Sequence, residues 1–306
     1  MNSRLPSGNT APFPSRQILI AGCGYTGKRL ADHWVAQQHR VAAITRSEQH
    51  AVQFRAAGIQ PLLADLARAE TLPYPGDPDV VVWAVGFDRS SADSRRAVWI
   101  DGLQRLLDAL PRRQQPRRLL LTSSTSVYGD HEGRELDESV APSPQSEAGQ
   151  VCLEAEERLR QFAATNSDTA VILRLSGIYG PGRLLRRMED LQQNRPIPAD
   201  PEAWLNLVHV DDIVRLMHVL AFCDEPPALI NVAGSRTPTR REYYSTLAEL
   251  TGAPAPVFTM PAPAPSGRQP SGNRRITSYV RPELPLAFQF EDIRSGLAHC
   301  LQHSIE

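Results

Sequence analysis

Gly22-Cys-Gly-Tyr-Thr-Gly27 has the spacing GxGxxG, directly after the apolar run Gln17-Ile-Leu-Ile-Ala21 and directly before a helical pattern from Tyr25 to Gln38. Strand, glycine loop and helix in that order suit a bound phosphate. The first glycine permits a tight turn, the second lets backbone approach a pyrophosphate, and the third lets helix pack on strand. Free N–H groups at the helix start then face the anion. This places Gly22, Gly24, Tyr25, Thr26 and Gly27 at a dinucleotide. The same stretch nearly spells another phosphate loop, Gly22-x4-Gly27-Lys28, whose next position needs Ser or Thr to hold magnesium; Arg29 stands there instead. With Asp65 read as its acid, a magnesium-dependent nucleotide hydrolase is the competing interpretation.

An NAD site commonly has an acid about 20 residues past the loop, bonding the ribose 2′-hydroxyl. Here that place reads Thr45-Arg46-Ser47. The fork of Arg46 suits a 2′-phosphate, so NADP is expected ahead of NAD.

These residues must be held by a scaffold, and its rhythm is visible. Strands are expected at 17–21, 41–45, 61–64, 79–84, 118–122 and 170–174, with helices at 25–38, 99–110 and 150–164. Such alternation predicts an α/β fold, a Rossmann doubly wound parallel sheet. After Tyr179-Gly-Pro-Gly182 the rhythm breaks. Residues 183–204 are polar, a strand-like stretch at 205–210 and a helix from about Asp212 follow, and 228–232 reads as another strand. A helix at 240–252, a proline-rich linker at 253–270 and a last helix at 291–303 complete the chain. The expected organisation is a flexible tail (1–15), a dinucleotide-binding domain (16–180 with about 205–235) and a smaller, C-terminal substrate-binding subdomain (about 181–204 with 236–306).

The chain has 306 residues, a formal net charge of −1, 41% hydrophobic and 22% charged residues. That is near the globular average, and the neutral balance argues against a dedicated nucleic-acid partner. The four cysteines are scattered, so no metal site or disulfide framework is expected. No apolar run is long enough to span a membrane, and Met1–Ser15 has no apolar core of a secretory signal. A soluble, cytoplasmic protein is expected. Among the 33 basic residues only Lys28 is lysine.

Further motifs follow the later strands: Thr122-Ser-Ser-Thr-Ser-Val-Tyr-Gly129, Arg174-Leu-Ser-Gly-Ile-Tyr-Gly-Pro-Gly-Arg183 and His209-Val-Asp-Asp212. With the glycine loop, they resemble the extended short-chain dehydrogenase/reductase superfamily, the NAD-dependent epimerase/dehydratase family, and within it the atypical YeeZ-like branch. The resemblance runs from about Arg16 to the C-terminus. It implies an NAD(P)-dependent oxidoreductase or epimerase acting on a small-molecule substrate, a phosphate- or sugar-bearing carbonyl or alcohol. It also implies an adenine contact at Asp65 and a substrate-oxygen contact at Ser124, four residues before the tyrosine of the VYG motif. Ala84, at the end of the fourth strand, joins the cofactor set. Tyr128, Tyr179 and Arg183 are the substrate candidates. Arg183, Arg186 and Arg187 form either an anion-holding cluster or a solvated face. A homodimer through helices such as 99–110 and 150–164 is also implied.

The family's catalytic pair is Tyr-x-x-x-Lys. The matching segment here is Ser146-Glu-Ala-Gly-Gln-Val-Cys-Leu-Glu-Ala-Glu156, in which Ser146, Gly149, Leu153 and Glu156 keep the register. Ala148 then stands at the tyrosine position and Cys152 at the lysine position. No other alignment restores the pair, because Gly24 lies four residues before the single lysine. Loss of a placed acid/base typically costs about 10²–10⁴ in rate. A non-catalytic NADP(H)-binding sensor or regulator is therefore the alternative to an enzyme.

Overall fold

A computed structural model of the chain describes residues 14–68, 72–88, 92–183, 185–259 and 272–303, with only the backbone at 185–187. The expected tail up to residue 13, most of the proline-rich linker (260–271) and the side chains of Arg186 and Arg187 lie outside the described residues.

The first half alternates strand and helix: β1 (Gln17–Ala21), α1 (Tyr25–Ala36), β2 (Arg40–Thr45), α2 (Glu48–Ala56), β3 (Gln60–Leu63), β4 (Val80–Trp83), α3 (Gly102–Asp108), β5 (Arg118–Ser124), the two-residue β6 (Glu135–Leu136), α4 (Glu147–Asn166) and β7 (Thr169–Leu175). A π-helical turn, Ala97–Asp101, leads into α3. The second half holds β8 (Gly177–Tyr179), α5 (Leu185–Gln192), β9 (Ile197–Pro198), β10 (Leu207–His209), α6 (Val210–Phe222), β11 (Leu229–Val232), α7 (Arg240–Thr251), β12 (Phe258–Thr259), β13 (Arg275–Ile276) and α8 (Ile293–Gln302).

Seven strands form one sheet in the order β3-β2-β1-β4-β5-β7-β11, every pairing parallel. This is the expected Rossmann-like, doubly wound sheet. Successive side chains of a strand point to opposite faces, and β1 shows the result. Ile18 and Ile20 pack in a cluster with Leu30 and Trp34 of α1 and Met217 and Leu220 of α6. Leu19 and Ala21 pack with Leu103 and Leu107 of α3 and Leu159 of α4. Each fully buried Leu, Ile or Val contributes roughly 1.5–3 kcal/mol, so a sheet apolar on both faces drives the three-layer arrangement. A third cluster gathers Leu191 of α5, Tyr244 and Leu247 of α7, and Leu297 and Cys300 of α8.

Several helix starts are capped by short polar side chains. Ser146 Oγ accepts from the Gly149 N–H at 3.1 Å at the start of α4, and Thr239 with Glu242 forms a reciprocal capping box on α7. Two helices fall where the residue pattern predicts none. In α2 only Ala51 and Phe54 are buried, too few to mark a face, and it forms because they pack beside β2 and β3. In α5, Met188 and Leu191 stand one turn apart on the third cluster, within a stretch expected to be irregular. The strand expected at 205–210 shrinks to β10, which pairs with β8 away from the main sheet. The expected linker contains β12, paired with β9.

The strand order reverses at β1, whose neighbours are β2 on one side and β4 on the other. In open α/β sheets the crevice beyond the carboxyl ends at such a switch point is the ligand site. The glycine loop leaves β1 there.

Candidate functional site

Gly22 adopts φ +90°, a left-handed conformation that favours glycine, and a Cβ on it would strike the backbone of Ala84 and Val85. A Cβ on Gly27 would strike the Gly22 carbonyl. Both glycines are thus required by the fold itself. Gly24 differs: a Cβ there would meet nothing within 4 Å. Gly24 is also the N-cap of α1, and no side chain caps this end, nor is there an acid in the first turn. The first hydrogen bond within α1 runs from the Lys28 N–H to the Gly24 carbonyl. The N–H groups of Tyr25, Thr26 and Gly27 therefore lie at an open, partially positive helix end. Open space over Gly24 and an uncapped helix are what a pyrophosphate needs, so the residues fit a dinucleotide.

The loop opens onto a cleft of about 290 Å³ lined by Gly22, Cys23 and Gly24, by Thr45 and Arg46 at the end of β2, by Asp65 and Leu66 after β3, and by Val85, Gly86 and Asp88 after β4. Arg46 is exposed, and its one ion pair among the described residues is a long one, 3.7 Å, to Asp88. Asp65 Oδ1 accepts from the Ala67 N–H at 2.9 Å, which shapes the turn beneath the cleft. Ala84, just before Val85, does not line the cleft; its N–H donates to the Ala21 carbonyl at 2.7 Å. His50, Phe54 and Val98 also line the cleft. Sequence reasoning missed them, because no motif marks α2 or the turn before α3. The spacing of His50 and Phe54, one helical turn apart, is the only trace.

The competing magnesium-loop interpretation fails on Lys28. Its Nζ is held by Asp32 at 2.6 Å, on the outer side of α1, and it does not line the cleft. Arg29 folds back instead, donating to the Tyr25 carbonyl at 3.0 Å.

Beyond the cleft, β5 ends at Ser124, which is half-buried. Its Oγ accepts from the Ser126 N–H at 3.1 Å and caps the 3₁₀ turn Thr125–Tyr128. That leaves the hydroxyl proton to donate. α4 presses on this turn: a Cβ on Gly149 would lie 2.7 Å from the Ser126 carbonyl oxygen. Cys152, one turn from Ala148, is buried against Ser123 and the Ser124 backbone. Burial pushes its thiol up to about 11, with Glu156 adding to the rise, so at neutral pH it is protonated and poorly suited to act as a base.

Two expected substrate contacts need correction. Tyr128 has no exposed surface. Its hydroxyl donates to Asn231 Oδ1 at 2.9 Å and accepts from Arg174 Nη1 at 2.9 Å, so both partners are protein. Tyr179 is buried in the third cluster, its ring edge-on to His209 at 5.1 Å and its hydroxyl against Gly296. Neither faces a substrate, because each has been drawn into packing. Arg183 is exposed, and it meets Tyr25. The guanidinium groups of Arg183 and Arg29 each lie 4.1 Å from the Tyr25 ring centroid. The Tyr25 hydroxyl donates to the Pro181 carbonyl at 3.0 Å. The glycine loop and the loop after β8 are thereby fastened together.

His209, Asp211 and His299 bring three potential ligand atoms within 4.8 Å of one another. His209 Nδ1 accepts from the Asp211 N–H at 3.2 Å, which puts its proton on Nε2, facing His299 Nδ1 at 3.3 Å. A metal on Nε2 would require that proton on Nδ1 and would break the cap of α6. The group fits a hydrogen-bond chain rather than a cation.

Residues 18–233 match the NAD dependent epimerase/dehydratase family. Protein YeeZ of Escherichia coli is 27% identical over 282 residues, covering 90% of this chain and 97% of that protein. A solved structure described as an NAD-dependent epimerase/dehydratase from Methylobacillus flagellatus is 30% identical, with a TM-score of 0.74 over 94% of this chain and 98% of that one. UDP-glucuronic acid 4-epimerase from Bacillus cereus, in complex with UDP-glucuronic acid and NAD, has the same fold at 19% identity and a TM-score of 0.77, with coverage of 94% and 98%. No described helix is long and apolar enough to cross a membrane. An uncapped glycine-loop helix at the switch point of a seven-stranded parallel sheet, matched over most of the chain, means that this protein belongs to the NAD-dependent epimerase/dehydratase family.

Proposed function

We propose that the protein binds NADP(H) in preference to NAD(H) and acts as an oxidoreductase or epimerase on a small sugar- or phosphate-bearing carbonyl or alcohol, without a Tyr-x-x-x-Lys pair. The observation that carries the cofactor assignment is Arg46, on the cleft wall just after β2, where its exposed guanidinium has, among the described residues, one long ion pair. A 2′-phosphate there would gain charge-assisted hydrogen bonds worth about 1.5–3 kcal/mol. Calorimetry on Arg46→Ala tests this: NADPH affinity should fall by at least about tenfold while NADH affinity holds. Equal affinities for NADPH in the two proteins would remove the 2′-phosphate assignment.

When bound, the dinucleotide supplies hydride chemistry. The chain's own part is to hold and orient: helix-end N–H groups for the pyrophosphate, Asp65 beside the adenine, and the free proton of Ser124 for the substrate oxygen. The sugar-nucleotide ligand of the Bacillus cereus enzyme supports the substrate class. We assign substrate selection to the subdomain around the third cluster, with Arg183 at its entrance. A homodimer would use the outer face of α3 and α4, where Gln104, Glu154, Arg158 and Phe162 border a groove of about 490 Å³.

A second reading, an NADP(H)-binding sensor or regulator without turnover, rests on one observation. Ala148 has no proton to give and the Cys152 thiol is buried and protonated. Following NADPH absorbance across a panel of carbonyl and nucleotide-sugar substrates separates the two. Consumption with any of them favours the enzyme, and binding without consumption favours the sensor.

A further inference from the structure

No sequence motif singles out Arg95, which opens the helical segment leading into α3. Its guanidinium carbon lies 4.2 Å from the ring centroid of Phe87. Phe87 stands between Gly86 and Asp88, both of which line the dinucleotide cleft, as does Val98. The Arg95 Nε is closed to solvent and has no hydrogen-bond partner among the described residues. On its other side the positive charge reaches the Cys152 thiol and opposes the effect of burial there. Cys152 in turn touches Ser123 and the Ser124 backbone. Nearby acids are engaged elsewhere: Glu154 by Arg96 and Arg158, and Glu156 by Arg174, Arg160 and Ser123.

We propose that Arg95 is the cation of the nicotinamide end of the cleft, stacked on Phe87 and donating hydrogen bonds to the hydroxyls of the nicotinamide-side ribose, close to Ser124. The proposal rests on the dinucleotide reading above. It assigns to a residue before α3 the positive charge that a lysine on α4 would otherwise supply; Cys152 occupies that helical position and the chain has no lysine to spare. The chemistry suits an arginine. Its planar fork offers several donors in one orientation, and the Phe87 stack sets the plane.

The test compares two probes by calorimetry: NADPH, and adenosine 2′,5′-bisphosphate, which has the adenosine half and no nicotinamide ribose. In Arg95→Ala, NADPH affinity should fall by about tenfold or more, the bisphosphate affinity should stay unchanged, and Arg95→Lys should recover part of the loss. If Arg95→Ala does not fold, as judged by circular dichroism, Arg95→Gln takes its place in the same comparison. Unchanged NADPH affinity, or an equal loss for both probes, overturns the proposal while leaving the cofactor reading intact. A wild-type protein that binds neither probe overturns that reading and the proposal with it.

Discussion

Glu156 and Arg174 form a two-pronged pair inside the protein, with Arg174 Nε to Oε1 at 3.0 Å and Nη2 to Oε2 at 2.8 Å, both side chains essentially closed to solvent. The pair is the hub of a network on either side of Ser124. Ser123 Oγ donates to Glu156 Oε1 at 2.6 Å, and Arg174 Nη1 donates to the Tyr128 hydroxyl. α4, β5, β7 and the turn after Ser124 are joined through these two residues. Removing one partner of a buried pair leaves an uncompensated charge, which destabilises by about 3–5 kcal/mol. Glu156→Ala should show a loss of that size in urea unfolding. A loss under about 1 kcal/mol would mean that the pair is far more solvated than its burial indicates.

Gly24 and Gly27 should separate binding from stability. An alanine methyl at position 24 meets nothing within 4 Å, so Gly24→Ala should change stability by about 1 kcal/mol or less. The methyl would occupy the proposed pyrophosphate space, and dinucleotide binding should be lost. At Gly27 the methyl strikes the Gly22 carbonyl, so Gly27→Ala should lose about 1–3 kcal/mol through overpacking as well as the nucleotide. Thermal unfolding with and without NADPH distinguishes these patterns. Nucleotide-dependent stabilisation surviving in Gly24→Ala would count against the pyrophosphate site.

Cys152 should be chemically quiet. Burial raises its thiol to about 11, and thiolate is the reactive form. Ellman titration of the folded protein at pH 8 should leave Cys152 unmodified until denaturant is added, with Cys152→Ser identifying its share. Fast modification in the folded state would revive it as a candidate base.

Acid should destabilise the protein through a histidine cluster between α1 and α6. Burial holds the His218 pKa down from 6.5 to about 4, with His33 and His39 pushing the same way. Trp34 Nε1 donates to His218 Nδ1 at 3.1 Å, a bond that a doubly protonated ring cannot accept. The folded pKa lies below the unfolded one, so the unfolded chain takes up protons first. This contribution is complete above pH 6.5 and is lost as pH falls toward about 4. Burial also lowers His33 and His39, which adds to the same slope. His218→Gln keeps a hydrogen-bond acceptor without the titration. Its melting temperature should therefore fall less than that of the wild type between pH 7 and 5, and parallel slopes would refute the assignment.

What the order of residues determines by itself is local. The glycine spacing, the apolar strands and the amphipathic face of α4 are properties of neighbours in the chain, and they were enough to place the sheet and the first two wall segments of the cleft. The absence of Tyr-x-x-x-Lys is likewise settled by a single lysine at position 28. What only the tertiary structure decided concerns residues far apart. Tyr128 and Tyr179 carry the same phenol as a substrate contact would, yet packing closes them off. Arg183 meets Tyr25 across more than 150 positions, and Arg95 lies near Cys152 from another helix. α2 and α5 form although their own residues mark no strong face, because the sheet edge and the third cluster supply the apolar surface against which they fold. Burial and long-range charge are set by the assembled layers, and no window of sequence contains them.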